Sequence, residues 1–305
     1  MEVMIGRQVI FFIFLFAFIL GIFYLFQQRL LFSPMRRHVM VPEDPHIDTF
    51  AGDVHIWHFD KFNTKPDAKT VLFCHGNNGN ISYRSYCISL CKHQGMNLCL
   101  FDYRGYGKSR GIPSTSGVVR DGLAAYDYLA TKVPQNSIVV WGESLGGAVS
   151  TRIAAARQCH ALILWATFSA LDDMIKDHNE FSRVAHFVGR MSGTFFDAMP
   201  SHKHVKKVQC KVAVVHSRFD ELIPLENSLK MYESISHSNK LHLTIKGTHA
   251  KSLIEPEQLC QLFTFCDLPN QGCDEACRIL EYYHRIYPGK LVETPEEYKA
   301  ALGLA

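Results

Sequence analysis

Ser137-Ile138-Val139-Val140-Trp141-Gly142-Glu143-Ser144-Leu145-Gly146-Gly147-Ala148-Val149-Ser150-Thr151-Arg152-Ile153-Ala154-Ala155-Ala156-Arg157 is the stretch whose reading decides the fold. Its opening residues are a short, continuous apolar run, the mark of a strand buried on both faces in a parallel sheet. Its closing residues are alanine-rich, with an apolar face at helical spacing. Between them stands Gly-x-Ser-x-Gly, a pattern that on its own says little. Small residues between a strand and a helix let the chain turn sharply and leave the hydroxyl of Ser144 exposed at the helix N-terminus, the arrangement called a nucleophile elbow. The plain alternative is a strand-to-helix turn that happens to contain serine.

The same alternation continues outward in both directions. Val71 to Cys74, Asn97 to Phe101, Ala161 to Trp165, Val212 to His216 and Leu241 to Ile245 read as strands, and Asp53 to Phe59 as an earlier one. Helical patterns cover Tyr83 to Gln94, Val118 to Leu129 and Leu225 to Ile235. The expected fold is α/β, a mostly parallel central sheet with helices on both faces. Sites in such sheets gather at the C-terminal ends of the strands. Residues 167–209 interrupt the alternation and carry Phe181, Phe187, Met191, Phe195, Phe196 and Met199. They read as a short helical lid over a pocket, or equally as a packed insertion whose aromatics are core.

A serine hydroxyl is a weak nucleophile that needs a base, and the base needs an orienting acid. Behind an elbow the order is serine, acid, histidine. Asp220 follows the strand ending at His216, and His249 follows the last strand in Lys246-Gly247-Thr248-His249. Of 16 histidines, His249 alone has both the order and the loop position. Asp220 is the expected acid, with Glu221 the alternative; a turn-capping aspartate is the plain reading of Asp220. An acyl-transfer oxyanion needs backbone donors. The amide of Leu145 is the first. The second is assigned to Asn77, then Asn78, in His75-Gly76-Asn77-Asn78-Gly79-Asn80, a run that also reads as a turn. Asp102-Tyr103-Arg104-Gly105-Tyr106-Gly107-Lys108-Ser109 is expected to be a structural loop; its spacing is not that of a phosphate-binding loop.

The chain has 305 residues, 47% hydrophobic and 20% charged, with a formal net charge of +3. No basic run interleaved with aromatics supports nucleic-acid binding. Residues 9–26 are uncharged and long enough to span a bilayer, and no small-residue exit site follows. Residues 1–29 are therefore expected to be an uncleaved membrane anchor, and residues 30–305 the catalytic domain. Arg29, Arg36 and Arg37 outnumber Arg7 across the segment, a bias toward a cytoplasmic domain. Ten cysteines divide into buried ones such as Cys74 and Cys99 and a C-terminal group, Cys260, Cys266, Cys273 and Cys277. That group allows one or two disulfides, and its spacing lacks a zinc pattern. The sequon Asn80-Ile81-Ser82 reads as chance.

Taken as an ordered set, six pieces carry a family likeness. They are the apolar segment followed by Leu31-Phe32-Ser33-Pro34, the loops from His75 and from Asp102, Gly142 to Gly147, Asp220-Glu221-Leu222-Ile223-Pro224 and Gly247-Thr248-His249. Together they resemble the membrane-anchored serine hydrolases of the α/β-hydrolase superfamily, in the branch of lysophospholipase-like and protein-depalmitoylase-like proteins. The resemblance implies hydrolysis of acyl esters or thioesters through an acyl-serine, with no metal or organic cofactor; the expected anchor and apolar lid point to a lipid-like substrate. A peptidase or acyltransferase on the same triad, or a non-catalytic membrane-anchored interaction protein, are the alternatives. His216-Ser217-Arg218 departs from the His-Gly that the family often has before the acid.

Overall fold

The computed structural model describes residues 31–44, 46–171, 173, 199–249 and 251–286, with positions 10–15, 18 and 21 of the N-terminal segment. Its centre is a nine-stranded sheet. In chain order the strands outside and inside it are β1 (Ser33–Pro34), β2 (Ile47–Ala51), β3 (Val54–Phe59), β4 (Thr70–Cys74), β5 (Asn78–Gly79) and β6 (Asn97–Phe101). They continue as β7 (Ile138–Glu143), β8 (Ala161–Trp165), β9 (Lys211–Ser217), β10 (Lys240–Gly247) and β11 (Ser252–Leu253). The sheet order is β11-β10-β9-β8-β7-β4-β6-β3-β2, while β1 and β5 pair separately. From β6 to β10 every neighbour is parallel; β2, β3 and β11 are antiparallel at the edges.

Parallel strands covered on both faces should be apolar at every position, and here the two faces take alternate residues. Val140, Leu162, Leu164 and Val214 bury one face against α2 (Thr115–Ala130), α3 (Leu145–Ala156) and α5 (Leu225–Ser234). Val139, Trp141, Ile163 and Val215 bury the other against α1 (Ser85–Gln94), α6 (Pro256–Phe265) and α7 (Cys273–Ile286). The helix starts have local causes. The Ser114 side chain accepts from Gly117 N–H at the start of α2. Glu255 and Gln258 form a reciprocal capping box at α6, with Pro256 in its first turn. Apart from the lid, every strand and helix expected between 53 and 245 is present; β9 and β10 run two and three residues longer than expected, while α1 starts two residues later.

The predicted anchor, 9–26, lies largely outside the described residues. Those described in it are helical, and among the described residues no helix is long and apolar enough to cross a membrane. Most of the expected lid, 174–198, is likewise outside them; the described ends of the insertion, 167–171, 173 and 199–209, include a short helix, α4 (Ser201–His204), and a 3₁₀ turn at Val205–Lys207. The cysteine-bearing tail is the hairpin of α6 and α7, closed by a Cys260–Cys273 disulfide, while Cys266 and Cys277 are free and buried.

Leu164 lies in β8 with no exposure. Leu164→Ala is expected to lower unfolding free energy by about 2–5 kcal/mol, read as a lower urea midpoint at unchanged slope.

Candidate active site

Ser144 sits where β7 ends and α3 begins, at φ 52° and ψ −117°. A non-glycine residue there costs about 1–3 kcal/mol and persists only where its surroundings over-determine it. They do so here. Ser144 N–H donates to the Trp165 carbonyl at 2.9 Å, and the Ser144 carbonyl accepts from Gly147 N–H at 2.9 Å and from Thr167 Oγ1 at 2.7 Å. Glycine is required at both positions in the first turn of α3 by close approach. A Cβ on Gly146 would overlap the Cys74 carbonyl, and one on Gly147 would overlap Thr167. The elbow is thus wedged between the ends of β4 and β8.

The loops after β9 and β10 bring the other two residues to it. His249 Nε2 lies 3.1 Å from Ser144 Oγ, and His249 Nδ1 lies 2.7 Å from Asp220 Oδ2. The Asp220 carboxylate is fully buried, while the His249 ring keeps part of its surface open to solvent. Asp220 Oδ1 accepts the backbone N–H groups of Leu222 and Ile223 at 3.0 and 2.7 Å, so it is a turn residue as well. Burial pushes its pKa up, but the hydrogen bond and charge of His249 and the Ile223 N–H outweigh this and hold it below the usual carboxylate range. Glu221, the alternative acid, accepts from the backbone N–H of His249 at 2.9 Å rather than from its ring.

Leu145 follows Ser144 as the first residue of α3. The loop after β4 passes beside the serine: the Cβ position of Gly76 lies 3.5 Å from Ser144 Cβ. The Asn77 side chain is turned to the N-terminal strap, donating to the Leu31 carbonyl at 2.7 Å and accepting from Ser33 N–H at 3.1 Å and Tyr106 OH at 2.8 Å. Asn78 pairs with Ser33 in the β1–β5 ladder. The asparagine run is therefore a latch, whichever backbone amide faces the serine.

The loop from Asp102 is structural. Asp102 is buried and accepts from Ile81 N–H at 2.9 Å, and Arg104 holds Asp121 through both carboxylate oxygens. Asn80, in the sequon, is wholly buried and donates to the carbonyls of Met35 and Arg37 at 2.9 Å each, a placement that leaves no room for a glycan. Two contacts at the site had no signal in the sequence. His216, fully buried and kept neutral by that burial, lies 3.4 Å from Asp220 Oδ2 and donates to the Ile223 carbonyl at 2.7 Å. Tyr86 OH donates to Glu143, next to the nucleophile, at 2.5 Å, across 57 residues of chain.

Residues 65–204 match the family described as Serine aminopeptidase, S33. A lysophosphatidylserine lipase of Danio rerio is 29% identical over 187 residues, 56% of this chain and 48% of that protein. Its Bos taurus counterpart is 28% identical over 196 residues, 59% of this chain and 48% of that protein. The chain spans about half the length of the curated relatives it matches. Among solved structures, a Pyrococcus furiosus esterase aligns with a TM-score of 0.59 at 19% identity, covering 83% of this chain and 97% of that one. A Paleococcus ferrophilus monoacylglycerol lipase aligns with a TM-score of 0.54 at 18% identity, covering 76% and 98%. The chain has the α/β-hydrolase fold.

Burial pushes the Asp102 pKa up, but His38, His55 and His75 around it, with the Ile81 N–H, bring it from 3.8 to about 2. A depressed carboxylate stabilises the fold above its unfolded value, and that contribution is lost as pH falls through the folded one. Acid unfolding of the parent should therefore steepen below pH 3.8, toward about 2. Asp102→Asn should be less stable near neutrality and lack that limb, as followed by circular dichroism against pH.

Proposed function

We propose that this ester hydrolase works through Ser144, His249 and Asp220 and cleaves acyl esters or thioesters of lipids or lipidated molecules, held at a membrane by residues 9–26. One observation carries the reading: a single imidazole, that of His249, bridges the hydroxyl of Ser144 at 3.1 Å and the carboxylate of Asp220 at 2.7 Å. In this reading Ser144 Oγ attacks the acyl carbonyl while His249 Nε2 takes its proton. Asp220 holds the ring with Nδ1–H toward itself and stabilises the imidazolium. The amide of Leu145, with one from the Gly76–Asn77 loop, receives the oxyanion. Collapse of the tetrahedral species breaks the bond to the alcohol or thiol, which leaves with the proton from His249. Water, deprotonated by the same ring, then releases the acid and restores Ser144.

Two things support the lipid part. The relatives' names speak of a lysophosphatidylserine lipase and a monoacylglycerol lipase. The loops that carry the triad present apolar side chains to solvent: Phe219, 66% exposed, and Leu222 flank Asp220, and Leu253 follows His249. A peptidase is the second reading, favoured by the description of the matched family.

A fluorophosphonate probe should label the purified parent, and neither Ser144→Ala nor His249→Ala. Asp220→Asn should reduce kcat by about 10⁴-fold, whereas Glu221→Gln should stay within a few-fold of the parent. A folded parent that takes no label would return the chain to the interaction-protein reading. Turnover of aminoacyl amides in preference to lysophospholipids, monoacylglycerols and S-acylated peptides would replace the lipid substrate by a peptide.

A further inference from the structure

A second polar cluster lies apart from Ser144, where the N-terminal strap crosses the ends of β3 and β6. Asp102 is its centre. Oδ1 is occupied by the Ile81 N–H; Oδ2 faces two imidazoles, His55 Nδ1 at 3.3 Å and His38 Nε2 at 3.4 Å. The opposite nitrogen of His55, Nε2, lies 2.7 Å from Asp48 Oδ1. A carboxylate only accepts, so that short contact places the ring proton on Nε2. In the neutral ring Nδ1 then points a lone pair at Oδ2, which is also an acceptor. Two acceptors facing each other in a buried site need positive charge between them. His38 repeats the problem: both its ring nitrogens are buried and make no hydrogen bond among the described residues.

The separations discriminate between the two sources of that charge. Hydrogen bonds from an imidazolium to a carboxylate run about 2.7–2.9 Å. Donors at the corners of a tetrahedron about zinc, at its ordinary bond lengths, stand roughly 3.3–3.5 Å apart. One donor atom from each of His38, His55 and Asp102 lies within 4.8 Å of the other two, and Asp102 Oδ2 stands 3.3 Å from His55 Nδ1 and 3.4 Å from His38 Nε2. Asp48 stands where an outer carboxylate fixes the tautomer of a metal-bound histidine, and Lys108 Nζ at 2.9 Å holds Asp48 in turn. His75 Nε2, buried with no hydrogen bond among the described residues, closes the far side 3.8 Å from Asp102 Oδ1.

We propose that His38 Nε2, His55 Nδ1 and Asp102 Oδ2 bind one zinc-like divalent cation, with water as fourth ligand, and that this ion pins the strap to the sheet. Two imidazoles and one carboxylate suit zinc and its first-row neighbours rather than magnesium or calcium. The site is structural: no step of the hydrolysis passes through it.

The test uses the full-length protein, stripped with a chelator and titrated with Co²⁺ and Zn²⁺. One equivalent of Co²⁺ should bind with the intense visible absorption of a tetrahedral site. A sulfur-to-cobalt charge-transfer band should be absent, which separates this site from the Cys159–Cys210 pair, whose sulfurs lie 3.3 Å apart. Zn²⁺ should raise Tm and Mg²⁺ should not. His38→Ala should abolish the band, Asp48→Asn should weaken Zn²⁺ binding about 10- to 100-fold, and Ser144→Ala should change neither. A folded parent without stoichiometric Co²⁺ would overturn the proposal in favour of a protonated His55, as would a band that survives His38→Ala. Should His38→Ala fail to fold, unchanged Zn²⁺ affinity in the surface variant Asp48→Asn would overturn it equally.

Discussion

The backbone of Ser144 is the constraint around which the centre of this molecule is arranged. At φ 52° it occupies a conformation that a serine does not adopt by preference. Three hydrogen bonds hold it there, from Ser144 N–H and to Ser144 C=O, and their partners come from the end of β8, the first turn of α3 and the residue pair after β8. Each partner is itself fixed by the sheet, because β7 pairs with β4 on one side and β8 on the other. Gly146 and Gly147 allow α3 to approach those strand ends closely enough to make the contacts. The local cost is thus distributed over strands that bury apolar residues on both faces, and the hydroxyl is left standing at the one point where loops from β4, β9 and β10 converge.

Two buried aspartates, Asp220 beside two histidines and Asp102 beside three, show how placement decides what such a group does. Asp220 meets His249 at 2.7 Å, a charge-assisted hydrogen bond. Its second histidine, His216, spends its proton on the Ile223 carbonyl, and burial keeps that ring neutral. The carboxylate therefore directs its charge at one imidazole, the one that reaches Ser144. Asp102 has no such short partner. Its two nearest imidazole nitrogens are at nearly equal, longer distances, and His75 beside it is driven to a pKa of about 4 by burial and by Arg84. Imidazoles at longer range than a charge-assisted hydrogen bond are what distinguish the second cluster from the first.

What could be read from the chain and what could not divides along one physical line. Strand Ile138–Glu143 and helix Leu145–Ala156 announce themselves because burial on both faces and helical spacing are local, repeating constraints. His249 and Asp220 were legible because strand ends place loops, and loop order follows chain order. Neither argument reaches a pair such as Tyr86 and Glu143, or His38 and Asp102, where two unremarkable positions meet only after the sheet has assembled. Asn80 shows the same limit from the other side: a three-residue sequon is a local pattern, but its asparagine is spoken for by Met35 and Arg37. The Asn77 loop follows β4, a position that chain order alone gives, while its side-chain contacts with Leu31 and Ser33 depend on a strap that carries no periodic signal.

That strap gives the molecule a mechanical continuity worth following through. Between residue 31 and residue 39 the chain makes a parallel pair with β5, receives Asn77 and Asn80 side chains on its carbonyls, accepts Gly107 N–H at Met35 and donates Val39 N–H to Ser82. All these partners except Gly107 belong to the stretch that follows Gly76, the residue against Ser144 Cβ. A pull on residues 30 to 34 would therefore act on the segment that lines the nucleophile rather than on a distant surface. Were residues 9–26 held in a bilayer as proposed, only residues 27–30 would separate them in sequence from the strap bonded to the loop beside Ser144, which would keep that loop near the lipid surface. The exposed side chains of Phe219, Leu222 and Leu253 stand on the segments next to Asp220 and His249, so the strap and these apolar side chains belong to one end of the sheet.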